Sequence, residues 1–306
     1  MTEFYYPSCG SGNIHACRWE PDGQIKGIVQ ILHGIAEYAS RYDEFARYLN
    51  SLGYLVVAED HMGHGLSIGQ EQVQGYFEGG WFAAIEDSYQ LLTRTQQEYP
   101  DVPYILFGHS MGSFMARTML IRYPQMKLTG AIICGTGWMK DSVLKMGSFV
   151  SKMVCKFGDE KKPSKFLHKL MFGSYNKRVQ KQQTEFDWLS FNPENVKAYI
   201  ADPLCGFPET AGLARDMLTG ILYIQQRENL GKMNPELPVL FVAGAEDPVG
   251  DYGAGVKSAA SEFADAGMKQ VSCRIYPRCR HEILNEQNKN QIFESIAYWM
   301  NIQLSK

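Results

Sequence analysis

Five short apolar runs most constrain how this chain can fold: Ile28 to Leu32, Tyr54 to Ala58, Tyr104 to Phe107, Ala131 to Cys134 and Val239 to Val242. None shows the polar alternation of a strand with one wet face, so each reads as a strand buried on both faces. A sheet covered on both sides is typically parallel, because the crossover joining a parallel pair lays a helix over it. Helical spacing fills the gaps: Phe45, Leu49 and Leu52 closed by Gly53, Trp81 to Glu98 stopping before Pro100, Met111 to Tyr123 stopping before Pro124, and Ile292, Ile296, Trp299 and Met300 near the end. This alternation predicts the α/β class, with a mostly parallel central sheet flanked by helices. Phe4 to Pro7 and Ile14 to Trp19 flank a Gly/Ser turn and predict an antiparallel hairpin at the sheet edge.

From about Gly137 to Pro235 the strand signal stops and helical stripes replace it, the first being Val143, Met146, Val150, Met153 and Phe157. With 306 residues the chain is long enough for one domain carrying a sizeable insertion. The expected division is a sheet core from residues 1–136 and 236–306, and a helical cap from residues 137–235.

Gly108-His109-Ser110-Met111-Gly112 matches G-x-S-x-G, the strand-to-helix turn that lifts a serine hydroxyl above a sheet. A second match, Gly65 to Gly69 around Ser67, lies in a Gly/His-rich loop without a strand before it or a helix after it. Ser110 follows the buried run Tyr104 to Phe107 and precedes the helical Phe114 to Arg117, so it is the candidate nucleophile. A serine hydroxyl needs a base oriented by a carboxylate. Strand ends later in the chain supply both, in the order acid then histidine. Val239 to Gly244 exits into Glu246-Asp247, and Ile275 to Pro277 exits toward His281, the only histidine after position 168. Asp247 sits just beyond the strand end, with Glu246 and Asp251 as nearby alternatives. For the negative charge that acyl transfer builds on a carbonyl oxygen, Met111 offers one backbone N–H and Ile35, in the loop after Ile28 to Leu32, a second.

His33-Gly34-Ile35-Ala36-Glu37-Tyr38 with Arg41-Tyr42, Asp60 to Ser67, Gly108 to Gly112, Gly244 to Gly250 and Arg280 to Glu286 together resemble the monoacylglycerol lipase and bacterial lysophospholipase group. The resemblance implies the α/β-hydrolase fold, with Ser110, Asp247 and His281 as triad and Ile35 and Met111 as oxyanion donors. It also implies that Glu37 and Arg41 shape the alcohol side of the site; read from spacing alone they are an i, i+4 ion pair near a helix start. Where the glycerol lipases of this group have a second histidine, three residues past the catalytic one, this chain has Leu284, with Asn285 beside it. Asp60, His61 and His64 have metal-ligand types at close spacing, but no further Cys/His cluster completes a site, and the resemblance makes the loop structural.

Charge enters at the insertion. Net charge is only −3, yet Lys140 to Lys181 has eleven Lys/Arg against three Asp/Glu, leaving +8 there and −11 elsewhere. The apolar stripe from Val143 with Lys145, Lys152 and Lys156 around it has the composition of a lipid-touching helix, or of one packed on the sheet domain behind a solvated lysine face. The near-neutral total argues against a nucleic-acid partner. Seven scattered cysteines without CxxC spacing suggest free thiols, and with a polar N-terminus and no membrane-length apolar run they predict a cytoplasmic enzyme. The expected chemistry is acyl transfer from a small ester, with no metal or cofactor. A single-chain lipid ester is favoured, a short-chain or aryl carboxylesterase is the alternative, and an aminopeptidase or a non-catalytic binding protein ranks lower.

Overall fold

The computed structural model describes residues 1–70 and 72–305. Its strands are β1 (Thr2–Pro7), β2 (Asn13–Trp19), β3 (Gly27–Leu32), β4 (Tyr54–Glu59), β5 (Tyr104–His109), β6 (Gly130–Cys134), β7 (Val239–Gly244) and β8 (Val271–Tyr276). They form an eight-stranded sheet in the order β1-β2-β4-β3-β5-β6-β7-β8. The β1/β2 and β2/β4 pairs are antiparallel and every other pair is parallel. The five apolar runs thus form the middle of the sheet, and the hairpin lies at one edge.

The flanking helices are α1 (Asp43–Ser51), α2 (Trp81–Glu98), α3 (Met111–Arg122), α9 (Ala254–Asp265) and α10 (Lys289–Leu304). Burial on both faces is visible along β5: Tyr104 and Leu106 join the core beneath α2, α3 and α9, while Ile105 and Phe107 join the core beneath α1 and α10. Sequence periodicity gave no sign of α9, whose buried face is Val256, Ala259, Ala260 and Phe263. Two alanines let it lie close to the sheet but carry almost no hydrophobic signal. β8 is an edge strand with a half-exposed pattern, so only its last residues stand out in the sequence.

Between β6 and β7 the described residues contain α4 (Asp141–Phe157), α5 (Lys165–Phe172), α6 (Pro193–Ala201), α7 (Ala211–Gln225) and α8 (Arg227–Leu230), and no strand of the sheet. These helices are not equally detached. Leu213, Met217, Leu218, Ile221 and Ile224 of α7 belong to the same core as α2 and α3, whereas α4 reaches that core through Leu144 and otherwise stacks, with α5, on the outside of α7. The α4 stripe does not pack on the sheet domain. Of its members Val143, Met146 and Phe157 are exposed, Met153 is half-buried and Val150 packs against Leu167, Ala211 and Ala214 of the insertion; Phe149 is exposed as well, and the fully buried positions are Leu144, Ser148 and Ser151. A packed face built of small residues brings α4 close to α7 and leaves the larger apolar side chains outside. No helix among the described residues is long and apolar enough to cross a membrane.

Two glycines on these helices should respond oppositely to alanine. A Cβ on Gly147 of α4 would sit 3.6 Å from the Leu218 methyls, ordinary contact. One on Gly220 of α7 would sit 2.2 Å from the Trp81 ring. Gly147→Ala is expected to raise stability by up to about 1 kcal/mol, and Gly220→Ala to lower it by about 1–3 kcal/mol, both read from urea denaturation midpoints.

Candidate active site

β5 passes into α3 through Ser110, which takes φ 53° and ψ −121°. A non-glycine residue in that region stores about 1–3 kcal/mol of backbone strain, and the surroundings must enforce it. They do so by close approach: a Cβ on Gly108 would lie 2.3 Å from the Gly112 carbonyl oxygen, and one on Gly112 would lie 2.1 Å from that of Leu32. Only glycines let α3 start this near to β3. The Ser110 N–H donates to the Cys134 carbonyl at 3.0 Å, which ties the turn to β6.

The loop after β7 places Asp247, fully buried, against His281, buried in the loop after β8. His281 Nδ1 lies 3.0 Å from Asp247 Oδ2; facing a carboxylate, that nitrogen donates and Nε2 is left as the acceptor. Nε2 is buried and has no hydrogen-bond partner among the described residues. The other Asp247 oxygen accepts from the Val249 N–H at 2.9 Å. Glu246 and Asp251, the alternative acids, both point to solvent. Burial pulls the His281 imidazolium down, but the Asp247 carboxylate beside it, aided by Glu282 and Glu37, outweighs this, so its pKa ends above the ordinary histidine value.

Ser110 and His281 open onto one cavity of about 530 Å³. Its floor includes Gly34, Ile35, Glu37 and His109, and its walls come from the insertion: Phe172, Phe186, Trp188, Leu189, Tyr199 and Phe207. The His281 ring lies between His109, at 4.7 Å between centroids, and Trp188, at 5.1 Å. Met111 is the first residue of α3, so its N–H belongs to the first-turn donors that have no partner within a helix. Ile35 lines the cavity across from it, in a loop so close to the turn that a Cβ on Gly34 would lie 3.0 Å from that of Ser110.

That loop is held on both sides. The Gly34 N–H donates to Glu37 Oε1 at 2.6 Å, and the Gly34 carbonyl accepts from His33 Nδ1 at 2.7 Å. His33 Nε2 then accepts from the His61 N–H at 2.9 Å, fixing a neutral imidazole; burial first, then His61 and His64, hold its pKa well below the ordinary value. Glu37 also accepts from Tyr42 Oη and from Arg41 Nη1, the latter at 2.6 Å. Arg41 extends further, making two bonds to Glu282, at 2.7 and 2.9 Å. Burial would push the Glu282 carboxyl up, but Arg41 wins and holds it at about 2. So Glu37 and Arg41 are the i, i+4 pair that their spacing suggests, and Glu37 also borders the cavity; Arg41 lies behind it.

The remaining sequence candidates are committed elsewhere. Ser67 Oγ donates to the Asp60 carbonyl and accepts from the His15 N–H, buried in the loop after β4. The Asp60 carboxylate accepts from the Ala39 and Leu66 N–H groups and from His15 Nδ1, while His64 Nδ1 meets the Met62 carbonyl. These atoms brace the loop instead of converging on a metal.

Sequence reasoning missed Glu282 and the insertion residues that reach the site. Asn195 of α6 donates to Glu282 Oε2 at 2.6 Å, and the Leu189 carbonyl accepts from the Glu282 N–H at 2.7 Å. The adjacency of Glu282 to His281 was a usable signal; nothing near Trp188 or Asn195 in the sequence links them to a histidine about ninety positions on.

With this geometry in view, the family model described as serine aminopeptidase, S33, matches residues 23–288. The chain belongs to that family of α/β-hydrolases. A monoacylglycerol lipase of Mycolicibacterium smegmatis is 28% identical, the match covering 98% of this chain and 96% of the relative. The human monoglyceride lipase is 29% identical, over 94% and 87% respectively. Among solved structures, a thermostable carboxyl esterase from Bacillus coagulans in complex with glycerol superposes with a TM-score of 0.89 at 30% identity, covering 99% of this chain and 98% of that one.

The Arg41 guanidinium is central to this S33-family site and lies between two buried carboxylates. Arg41→Ala should cost about 3–5 kcal/mol, because both carboxylates lose their counter-charge. Arg41→Lys should recover only part of that, since an ammonium cannot bridge Glu282 with two parallel bonds. Thermal and urea unfolding of the two variants checks both expectations.

Proposed function

We propose that this carboxylic ester hydrolase cleaves esters of single-chain lipids, of the monoacylglycerol or lysophospholipid kind, through an acyl-enzyme on Ser110. One observation carries the reading: Ser110 and the unpartnered Nε2 of a carboxylate-oriented histidine open onto a single cavity that is walled by aromatic side chains. In the proposed cycle His281 Nε2 takes the Ser110 proton as the hydroxyl attacks the ester carbonyl, and Asp247 stabilises the imidazolium that forms. The Ile35 and Met111 N–H groups receive the oxyanion. The imidazolium then protonates the leaving alcohol, and water, activated by the same histidine, releases the acid.

The relatives named as monoacylglycerol lipases support the lipid reading, as does a wall of Phe172, Phe186, Trp188, Leu189 and Phe207. Peptide cleavage from a free N-terminus would need carboxylates free to hold the amine, whereas Glu37 and Glu282 are bonded to Arg41 and Glu209 to His168, which leaves Glu185 alone in a cavity wall that also carries Lys169 and Lys177. In our reading residues 137–235 act as the cap over Ser110. Val143, Met146, Phe149, Phe157, Phe166 and Leu170 stand exposed there beside Lys145, Lys152, Lys156, Lys165 and Lys169, a surface suited to transient docking on anionic lipid. The unpaired state of all seven cysteines suits a reducing compartment such as the cytoplasm.

Ser110→Ala should lower hydrolysis of p-nitrophenyl and monoacylglycerol esters by at least about 10⁴-fold; retained activity would remove Ser110 from the mechanism. An activity optimum at acetate across the p-nitrophenyl series would favour the short-chain esterase alternative. Only neutral His281 can act as base, and its pKa is raised, so kcat/KM for a neutral ester should rise with pH through an apparent pKa above about 6.5. Co-sedimentation with liposomes at low salt should be greater for anionic than for neutral vesicles, and equal binding would end the docking proposal.

A further inference from the structure

The cavity has a second polar wall that the ester chemistry leaves unused. His168 on α5 and Glu209, just before α7, meet across the insertion, with His168 Nδ1 2.8 Å from Glu209 Oε2. Glu209 is 2% exposed, and its other oxygen, Oε1, is buried without a partner. A carboxylate in that position is tolerable only if a cation compensates it, so the pair favours an imidazolium on His168. Consistently, the hydrogen bond to Glu209 raises the His168 pKa; burial opposes it, and the charges of Glu209 and Glu185 add to it.

With Nδ1 committed to Glu209, Nε2 is the nitrogen left to meet a ligand. No hydrogen bond reaches it among the described residues, and 37% of the side chain remains open. His168 lines the same cavity as Ser110 and His281, so two carboxylate–imidazole pairs, one from the core and one from the insertion, border one space. Lys169, next to His168 on α5, and Lys177 border the same cavity, neither of them in an ion pair among the described residues. Glu185 is the lining carboxylate not already held by a cation. On the floor, Arg41 offsets one of the two charges of Glu37 and Glu282, burial raises the Glu37 pKa against its remaining charge, and His109 is held neutral by burial and by its neighbour His281. The surrounding stretch from Lys140 to Lys181 is strongly basic.

We propose that His168, oriented by Glu209 and flanked by Lys169 and Lys177, binds an anionic group, phosphate or carboxylate, carried by the ester substrate. An imidazolium N–H and two ammonium groups are donors that complement such an anion. The inference rests on the ester-hydrolase reading and narrows its substrate class. His168 is protonated below its raised pKa, so anion recognition is present at acidic pH and lost as pH rises through that value. This is opposite in sign to the limb set by His281, so a neutral ester should show only the rising limb and an anionic ester a falling limb as well.

The test compares lauroyl esters that differ only in the alcohol: glycerol, glyceric acid, glycerophosphoglycerol and glycerophosphocholine. The phosphodiester has a fixed charge, so its own titration does not intrude. Wild type should prefer one or both anionic esters to the glycerol ester, most strongly at the acid end of about pH 5–8. Whether phosphate or carboxylate responds identifies the group. His168→Gln should reduce that preference about tenfold, chiefly through KM, and flatten its pH dependence. His168→Lys keeps a charge and should retain the preference without the pH slope, which separates recognition from a structural role. An unchanged preference and slope in His168→Gln, or a choline ester outperforming both anionic esters, would overturn the proposal. Failure of wild type to hydrolyse any of the four esters would instead count against the ester-hydrolase reading beneath it.

Discussion

Arg41 reaches three separately encoded pieces of this molecule at once. Its guanidinium holds Glu37, and through it the Gly34 N–H of the loop beside Ser110. Two parallel bonds hold Glu282, next to His281, and Asn195 of the insertion donates to the same carboxylate. The Arg41 carbon stacks 4.9 Å from the Tyr199 ring centroid, adding a second contact to the insertion. Because Glu37 and Glu282 are buried and Arg41 nearly so, each has large desolvation costs that only its partners offset. The network therefore tolerates one arrangement and sets the distances between the Gly34 loop beside Ser110, the His281 loop and the insertion together.

The sheet provides what the network cannot, a rigid edge. Parallel strands end at the same side, so the turns after β3, β5, β7 and β8 bring Ile35, Ser110, Asp247 and His281 together although they span nearly the whole sequence. The strain at Ser110 persists because glycines on both sides let α3 and β3 close around it. A sheet edge below and a partly exposed helical insertion above match the arrangement common to binding sites, in which a regular scaffold orients residues carried on its connections.

Much of this was legible beforehand for a simple reason. Strands buried on both faces cannot hide their hydrophobicity, and a sharp turn packed against a neighbouring strand cannot avoid its glycines. Ser110 could be separated from Ser67 by its flanks alone, and the separation has a structural counterpart, since Ser67 is consumed by loop bonds to Asp60 and His15. Where packing uses small residues the signal failed. α9 lies on the sheet through alanines, and α4 packs through Leu144, Gly147, Ser148 and Ser151, so of its visible stripe Val143, Met146 and Phe157 face outward and Val150 packs only within the insertion.

The sequence by itself determined the α/β class, the edge hairpin, the position of the insertion and the local chemistry of each motif, because these depend on periodicity and on neighbours a few residues away. Only the tertiary structure decided which carboxylate meets His281, that Arg41 serves Glu282 as well as Glu37, that Trp188 covers the histidine, and that His168 and Glu209 face the same cavity as Ser110. Those contacts join residues from about 30 to about 240 positions apart, and nothing in local spacing encodes which distant side chains a folded sheet edge will bring within 3 Å.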